Sequence, residues 1–251
     1  MKRIVVFTGA GMSTASGIRD FRGENGIYND FASAEDMLTL TTFNNNPEEF
    51  YNFYMKYMLV DENIKPNEAH YLIKDMQDDG LISAVITQNI DGLDLKAGIN
   101  NVIELHGNAD TFCCTKCHKE YSVSEVRNME NVPKCTNCNS ILKPNIILYE
   151  DELDFYKLMM AKDAVNNAMT LLVMGSSLVV NPAAQLVHNF LVDMKFNKNK
   201  KLFIVNKGKT AFDGFVKDDN NNEGNSFKKI IKYDGDIIEF ASEYQRLRKT
   251  K

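Results

Sequence analysis

Six short apolar runs constrain this chain most: Ile4–Thr8, Ile82–Thr87, Val102–Leu105, Leu171–Met174, Leu202–Val205 and Ile230–Tyr233. Each is rich in β-branched residues, and its apolar positions are continuous rather than alternating. That pattern predicts parallel strands covered on both faces. Helical spacing falls between them. Pro66–Asp79 has proline in its first turn and stops at Gly80, and Pro182–Met194 and Ile237–Leu247 repeat with a helical period. Strands alternating with helices predict an α/β protein built on a doubly wound parallel sheet. At 251 residues the chain can bury a core as one large domain with an insertion, or as two small ones.

Two stretches break the rhythm. Gly23–Leu59 is polar and aromatic, with a helix expected to start at Asn46-Pro47. Asn108–Lys143 holds the cysteines and little apolar periodicity. Both read as insertions that together form a smaller lobe. The expected division is 1–22, 60–107 and 144–251 for the large domain, and 23–59 and 108–143 for the small one. The Asn- and Asp-rich patch Asp218–Asn225 reads as a surface loop. With 29 basic against 34 acidic residues the net charge is −5, which argues against nucleic-acid binding by bulk electrostatics. No apolar run reaches the ~18 residues of a membrane helix. The start, Met1-Lys2-Arg3-Ile4-Val5-Val6-Phe7, reads as a strand rather than a signal peptide, so a cytoplasmic protein is expected.

Cys114-Thr115-Lys116-Cys117 and Cys135-Thr136-Asn137-Cys138 are separated by 17 residues. Two such turns can present four thiolates tetrahedrally, as in a zinc ribbon. Four thiolates saturate the ion, so Cys114, Cys117, Cys135 and Cys138 are expected to hold a structural Zn2+ with no open position for water. Cys113 is left as a free thiol.

Strand Ile4–Thr8 runs into Gly9-Ala10-Gly11-Met12-Ser13-Thr14-Ala15-Ser16-Gly17. A Gly-rich turn from strand to helix is a phosphate cradle, although Thr14 breaks the G-x-G-x-x-G pattern. A tight strand-to-helix turn would look the same. Gln88, Asn89 and Asp91 follow the second strand, where amides and a carboxylate can bind ribose hydroxyls and a carboxamide; an Asx-rich turn is the plain alternative. His106 ends the third strand. Imidazole titrates near pKa ~6.5, which suits a general base at neutral pH.

Together these residues resemble the sirtuins, NAD-dependent protein-lysine deacylases of the compact bacterial and archaeal type. The resemblance runs through Gly9-Ala10-Gly11, Ser13, Ser16-Gly17-Ile18, Asp20-Phe21-Arg22, Thr87-Gln88-Asn89-Ile90-Asp91, Leu105-His106-Gly107 and the paired C-x-x-C. It continues through Lys143-Pro144-Asn145-Ile146-Ile147, Gly175-Ser176-Ser177-Leu178, Val180, Pro182-Ala183-Ala184 and Ile204-Val205-Asn206. It implies a Rossmann-like large domain, a small domain of zinc and helical modules, and a cleft between them for NAD and an acyl-lysine protein or peptide. It assigns Gly9, Ala10, Gly11, Thr14, Asp20, Phe21 and Arg22 to NAD. Gln88, Asn89, Ile90, Asp91 and His106 go to its ribose and nicotinamide end, and Gly175, Ser176, Ser177, Asn206, Asp236 and Ile237 to its adenosine half. His106 becomes the general base, with Asn89 beside it. The strand Ile146–Glu150 and the loop Leu178–Pro182 sandwich the peptide as an added strand, with Ile147, Tyr149 and Val180 as contacts. The implied reaction consumes one water and moves the acyl group to the ribose of NAD, releasing nicotinamide, O-acyl-ADP-ribose and free lysine. No step needs zinc.

Some positions depart from the family. Arg19 replaces a usual proline, so a more flexible loop is expected. Asp94 replaces a frequent histidine and is expected to sit outside the chemistry. Glu150-Asp151 replaces Gly-Glu after the substrate strand. Members that remove succinyl groups place Tyr and Arg three residues apart; here Tyr54 is followed by Tyr57, so neutral acyl groups are expected, acetyl first. Phe53, Met55 and Met58 read as core or as an acyl channel. A protein ADP-ribosyltransferase on the same fold and a zinc-ribbon nucleic-acid module are the alternatives. A monomer, with no membrane or nucleic-acid partner, is the default.

Overall fold

A computed structural model describes residues 4–30, 34–129, 131–216 and 230–249. Its strands are β1 Ile4–Thr8, β2 Ile82–Thr87, β3 Val102–Glu104, β4 Gly107–Cys114, β5 Glu120–Ser122, β6 Leu142–Ile146, β7 Thr170–Met174, β8 Lys201–Val205 and β9 Ile230–Tyr233. Its helices are α1 Ala34–Met37, α2 Leu40–Asn45, α3 Pro47–Tyr57, α4 Glu68–Asp78, α5 Leu93–Lys96, α6 Val123–Val126, α7 Phe155–Asn167, α8 Ala183–Phe196 and α9 Ile237–Lys249. The expected Asp218–Asn225 loop lies outside the described residues.

The six expected strands form one parallel sheet in the order β3-β2-β1-β7-β8-β9. Their continuous apolarity follows from two cores. Val5, Phe7, Ala84 and Ile86 face α7 and α8, packing with Ala161, Val165, Leu186 and Phe190. Val6, Val85, Leu172 and Met174 face α4 and α9, packing with Leu72, Ile73, Met76 and Ala241. Strand order reverses between β1 and β7, which makes the ends of those two strands the switch point where a crevice opens in such sheets.

A second sheet, β5-β4-β6, is antiparallel and sits in a third core. Asn46-Pro47 starts α3 as expected, with proline at its first turn. That helix buries Phe50, Tyr51, Phe53 and Tyr54 against Phe112, Leu142 and Leu148. The Phe, Tyr and Met stripe is therefore core. Phe50 stacks on Tyr54 at 5.7 Å, and Phe112 meets Tyr54 edge-on at 5.8 Å. Tyr51 donates its hydroxyl hydrogen bond to the Leu142 carbonyl, pinning the helix to the edge of the small sheet.

Candidate active site and metal centre

Three loops meet at the switch point. After β1, Gly9 donates its N–H to the Met174 carbonyl (3.1 Å) and Gly11 to the Gly175 carbonyl (2.9 Å). A Cβ on Gly11 would lie 2.9 Å from the Gly175 oxygen, and one on Gly175 (φ +64°) would lie 2.3 Å from the Met12 nitrogen. The glycines are thus demanded by the contact between the β1 and β7 loops. No α-helix follows this turn. Two 3-10 turns, Ala10–Met12 and Thr14–Ser16, replace the helix that the strand-to-helix reading expects, because the chain must leave for the second lobe. Asn67, the N-cap of α4, fastens these turns by donating to the Met12 carbonyl (2.9 Å) and to Ser16 Oγ (3.0 Å).

The polar run after β2 ties the loops together. Thr8 Oγ1 donates to Thr87 Oγ1 across adjacent strands (2.8 Å), and Thr87 Oγ1 accepts the Asn89 N–H (3.1 Å). Gln88 Nε2 donates to Ser176 Oγ (3.0 Å), and Asn89 Nδ2 to the Gly9 carbonyl (3.0 Å). Asp91 accepts from Ser13 Oγ (2.6 Å) and from the Leu93 N–H (2.9 Å), and its burial raises its carboxyl pKa. Gln88, Asn89, Asp91, Gly9, Ala10, Gly11, Gly175 and Ser176 therefore come together at the switch point, the place where a crevice opens in such sheets. Ser13 is a linchpin that the motif reading quoted without a role; its distance from a carboxylate 78 residues away carried no local signal. Asp94 is buried as well. Its pKa is pushed up to about 7, first by burial and then by the nearby Asp91.

His106 sits between β3 and β4. Its Nδ1 is 3.0 Å from the Gln88 carbonyl oxygen. A carbonyl only accepts, so Nδ1 carries the proton and Nε2 keeps its lone pair. Burial lowers the pKa, and the bond to Gln88 raises it by less. The ring is held neutral and in one tautomer. Gly107 (φ +74°) follows because any Cβ there would lie 2.0 Å from the Asn145 oxygen, which lets β4 leave beside β6.

Ile147 donates its N–H to the His106 carbonyl (2.9 Å), so the segment after β6 runs past His106. The regular strand ends at Ile146 rather than at Glu150. Tyr149 instead bridges to Thr39, and Glu150 turns the chain at φ +74°. The Glu150 carboxylate accepts from the Thr41 N–H (2.9 Å) and Thr41 Oγ1 (2.7 Å), anchoring the turn to α2. Leu178 is buried, while Val180 is half-buried and its carbonyl accepts from Ala184.

The loop of Asp20, Phe21 and Arg22 is tied down at Arg19. Arg19 donates to the Asn25 carbonyl (2.9 Å), the Gly26 carbonyl (3.1 Å) and Asp30 (2.7 Å). Its guanidinium supplies by hydrogen bonds the restraint that a proline ring supplies covalently. Asp20 accepts the Gly23 N–H. Thr14 is exposed beside this loop, and Ile90 is half-buried at the border of the second lobe. At the far end, Ser177 accepts from Ala211, Asn206 is fixed by the Tyr233 carbonyl, and Asp236 accepts from Ile238 in the first turn of α9. Ile237 is buried in that helix.

The four predicted thiols converge. Cys114, Cys117, Cys135 and Cys138 place their sulfurs within 4.8 Å of one another. A tetrahedral Zn2+ with ~2.3 Å Zn–S bonds needs sulfurs ~3.8 Å apart, so the set fits. Cys114 Sγ accepts backbone N–H bonds from Lys116 and Cys117, and Cys135 Sγ accepts from Asn137 and from the Tyr121 hydroxyl (3.1 Å). Such donors favour thiolates. His118 and Asn139, each just past a pair, adopt left-handed φ of 58° and 59° to close matching turns. The eight-residue β4 puts about 26 Å of strand between His106 and Cys114 at ~3.3 Å per residue.

The model of the Sir2 family matches residues 9–182. The chain belongs to the Sir2 family. An NAD-dependent protein deacetylase of Thermotoga maritima is 41% identical over 240 residues, 94% of this chain and 89% of that protein. One from Clostridium acetobutylicum is 43% identical over 84% of each chain. Among solved structures, Sir2 with p53 peptide and NAD+ aligns at TM-score 0.82 and 37% identity, covering 99% of this chain and 94% of that one. A histidine-to-alanine Sir2 variant with deacetylated p53 peptide and 3′-O-acetyl-ADP-ribose aligns at TM-score 0.84 and 39% identity, covering 97% and 92%.

Proposed function

We propose that this chain is an NAD-dependent protein-lysine deacetylase in which His106 is the general base. The observation that carries the assignment is the Nδ1 contact of His106 to the Gln88 carbonyl, which leaves Nε2 free to take a proton at the crevice. NAD, when bound, would supply the ribose carbon that the acyl oxygen attacks, the hydroxyl that ends up carrying the acyl group, and the nicotinamide that leaves. Amides and a buried carboxylate suit its ribose and carboxamide, and the interlocked glycine turns leave backbone where its pyrophosphate must approach closely.

In this reading Asn89, Gln88, Ile90 and Asp91 orient the ribose and nicotinamide end. Gly9, Ala10, Gly11, Thr14, Asp20, Phe21 and Arg22 hold the diphosphate and its ribose. Gly175, Ser176, Ser177, Asn206, Asp236 and Ile237 hold the adenosine half. Residues 1–22, 60–107 and 144–251 form the cofactor domain, with 23–59 and 108–143 as the small one. An acyl-lysine peptide adds beside Ile147 and Tyr149, opposite Val180. His106 then removes a proton from a ribose hydroxyl. Zinc stays structural, since four thiolates leave it no open position. Neutral acyl groups are favoured because Tyr57 stands where a guanidinium would be needed, and Tyr54 is packed into the aromatic core. Among the described residues no helix is long and apolar enough to cross a membrane, and we assign the protein to the cytoplasm.

The test is His106→Ala. Deacetylation of an acetyl-lysine peptide should fall by at least about a thousandfold, while NAD affinity measured by calorimetry stays within about threefold. Retained turnover would remove His106 from the role of base.

A further inference from the structure

The two C-x-x-C turns look alike in sequence but not in their surroundings. In the first, Thr115 Oγ1 donates away from the sulfurs, to the Ile141 carbonyl (2.9 Å). In the second, the matching Thr136 belongs to a chain of hydrogen bonds that ends on a thiol. Tyr121 lies opposite Phe112 in the β4–β5 pairing, and its ring is buried in the core of the small lobe. Its hydroxyl emerges at the metal turns. Tyr121 Oη donates to Cys135 Sγ at 3.1 Å and accepts the Thr136 N–H at 2.8 Å. Thr136 Oγ1 is 3.0 Å away.

A phenol has a single hydrogen to give. With that hydrogen on the sulfur, Thr136 Oγ1 is the donor to Tyr121 Oη. Thr136 Oγ1 in turn accepts from Lys119 Nζ at 3.1 Å. The same ammonium lies over the Tyr121 ring, 4.9 Å from its centroid. All the bonds therefore point one way: from Lys119 to Thr136, from Thr136 to Tyr121, and from Tyr121 to the Cys135 sulfur. Bonds in such a chain polarise one another, and a cation at its head strengthens the last donor. The chain ends where negative charge collects, because Zn2+ among four thiolates leaves the filled site anionic.

We propose that Lys119, Thr136 and Tyr121 form a directed outer shell that screens the Cys135 thiolate and so retains Zn2+ in the small lobe. A thiolate whose charge is drawn toward a donor is a poorer target for a proton or a competing ligand. The donor also fixes the direction in which the sulfur faces the ion. Tyr121 is thus a positioning residue for the metal, joined through its ring to the core that the metal turns cover.

Zinc release from the full, zinc-loaded chain to a chromogenic chelator at fixed pH tests it, and the readout needs no turnover. Tyr121→Phe keeps the ring in the core and removes the hydroxyl. It should release zinc at least about tenfold faster than wild type. Lys119→Met and Thr136→Val alter exposed side chains and break the chain further out. Each should speed release by about two- to fivefold. Cobalt in place of zinc gives a second reading. A sulfur that loses a hydrogen bond holds its lone pair less tightly, so the thiolate-to-cobalt band should move to longer wavelength in Tyr121→Phe. Wild-type release with an unshifted band in that variant would overturn the proposal. So would fast release in Tyr121→Phe beside wild-type release in both outer variants, since the chain would then contribute nothing. If Tyr121→Phe does not fold, the outer variants decide, and wild-type release in both overturns the proposal. A wild type that holds no zinc overturns the metal assignment with it.

Discussion

The proposed role of His106 as a base requires a neutral ring, and its surroundings favour one. Burial lowers its pKa, so the native ring takes its proton at a pH below the ordinary ~6.5. The acid limb of kcat/KM should therefore have its midpoint below about 6.5, and a pH–rate profile checks it; a midpoint above that value contradicts the assigned environment. Arg19 works at the same scale. Its three hydrogen bonds close the loop that carries Phe21 and Arg22. Its ion pair with Asp30 is exposed and contributes little, so the two bonds to backbone carbonyls matter more. Arg19→Ala should raise KM for NAD by about three- to tenfold and leave kcat within about twofold, read from NAD titrations at saturating peptide. An unchanged KM would show that the loop needs no such staple. The motif residues around His106 were readable because each sits at a strand end. Arg19, Ser13 and Tyr28 were not, because their partners are fixed only when the loops close.

Among the elements, α4 holds a titrating group that the chemistry does not use. His70 is fully buried and closes the capping box with Asn67, accepting the Asn67 N–H on Nδ1, while its Nε2 has no partner among the described residues. Burial depresses its pKa to about 4. Between about 6.5 and 4 the unfolded chain therefore binds a proton that the folded chain refuses. The stability that this entails is complete above about 6.5 and is lost as pH falls. Glutamine at this position keeps an acceptor for the cap and does not titrate. Urea unfolding of His70→Gln should show a pH 7 to pH 5 loss smaller than wild type by roughly 1–2 kcal/mol; equal losses would place the proton elsewhere. Strands and long helices matched expectation closely because their apolar pattern is set by two-sided burial. Helix α7 was not anticipated. Only Ala161 and Val165 are fully buried on it, and Phe155, Tyr156, Met159 and Met160 are exposed, so its apolar residues do not mark its packed face. The Gly-rich turn misled in the opposite way, since nothing local says that the chain departs for another lobe before a helix forms.

Over the whole molecule, the strand order places three loops at one crevice, and the metal turns lie a β4 length away from it. That separation predicts how metal removal behaves. A chelator should cause a slow loss of activity in step with loss of near-UV circular dichroism, because the ion holds a lobe rather than a reacting atom. Immediate inhibition, fully reversed by added Zn2+ with no spectral change, would contradict a structural role. The α/β class and the four-thiol centre were legible because they rest on periodicity and fixed spacing. The contact of Tyr149 with Tyr28 and Arg22 was not, because it joins residues 121 and 127 positions apart. The central claim is that acyl removal consumes NAD. Incubating the chain with NAD and a singly acetylated lysine peptide, and following all products by mass, tests it most directly. One nicotinamide should appear for each acetyl lost, with the acetyl group recovered on ADP-ribose. Free acetate with NAD intact, or ADP-ribose attached to protein while the peptide stays acetylated, would contradict it.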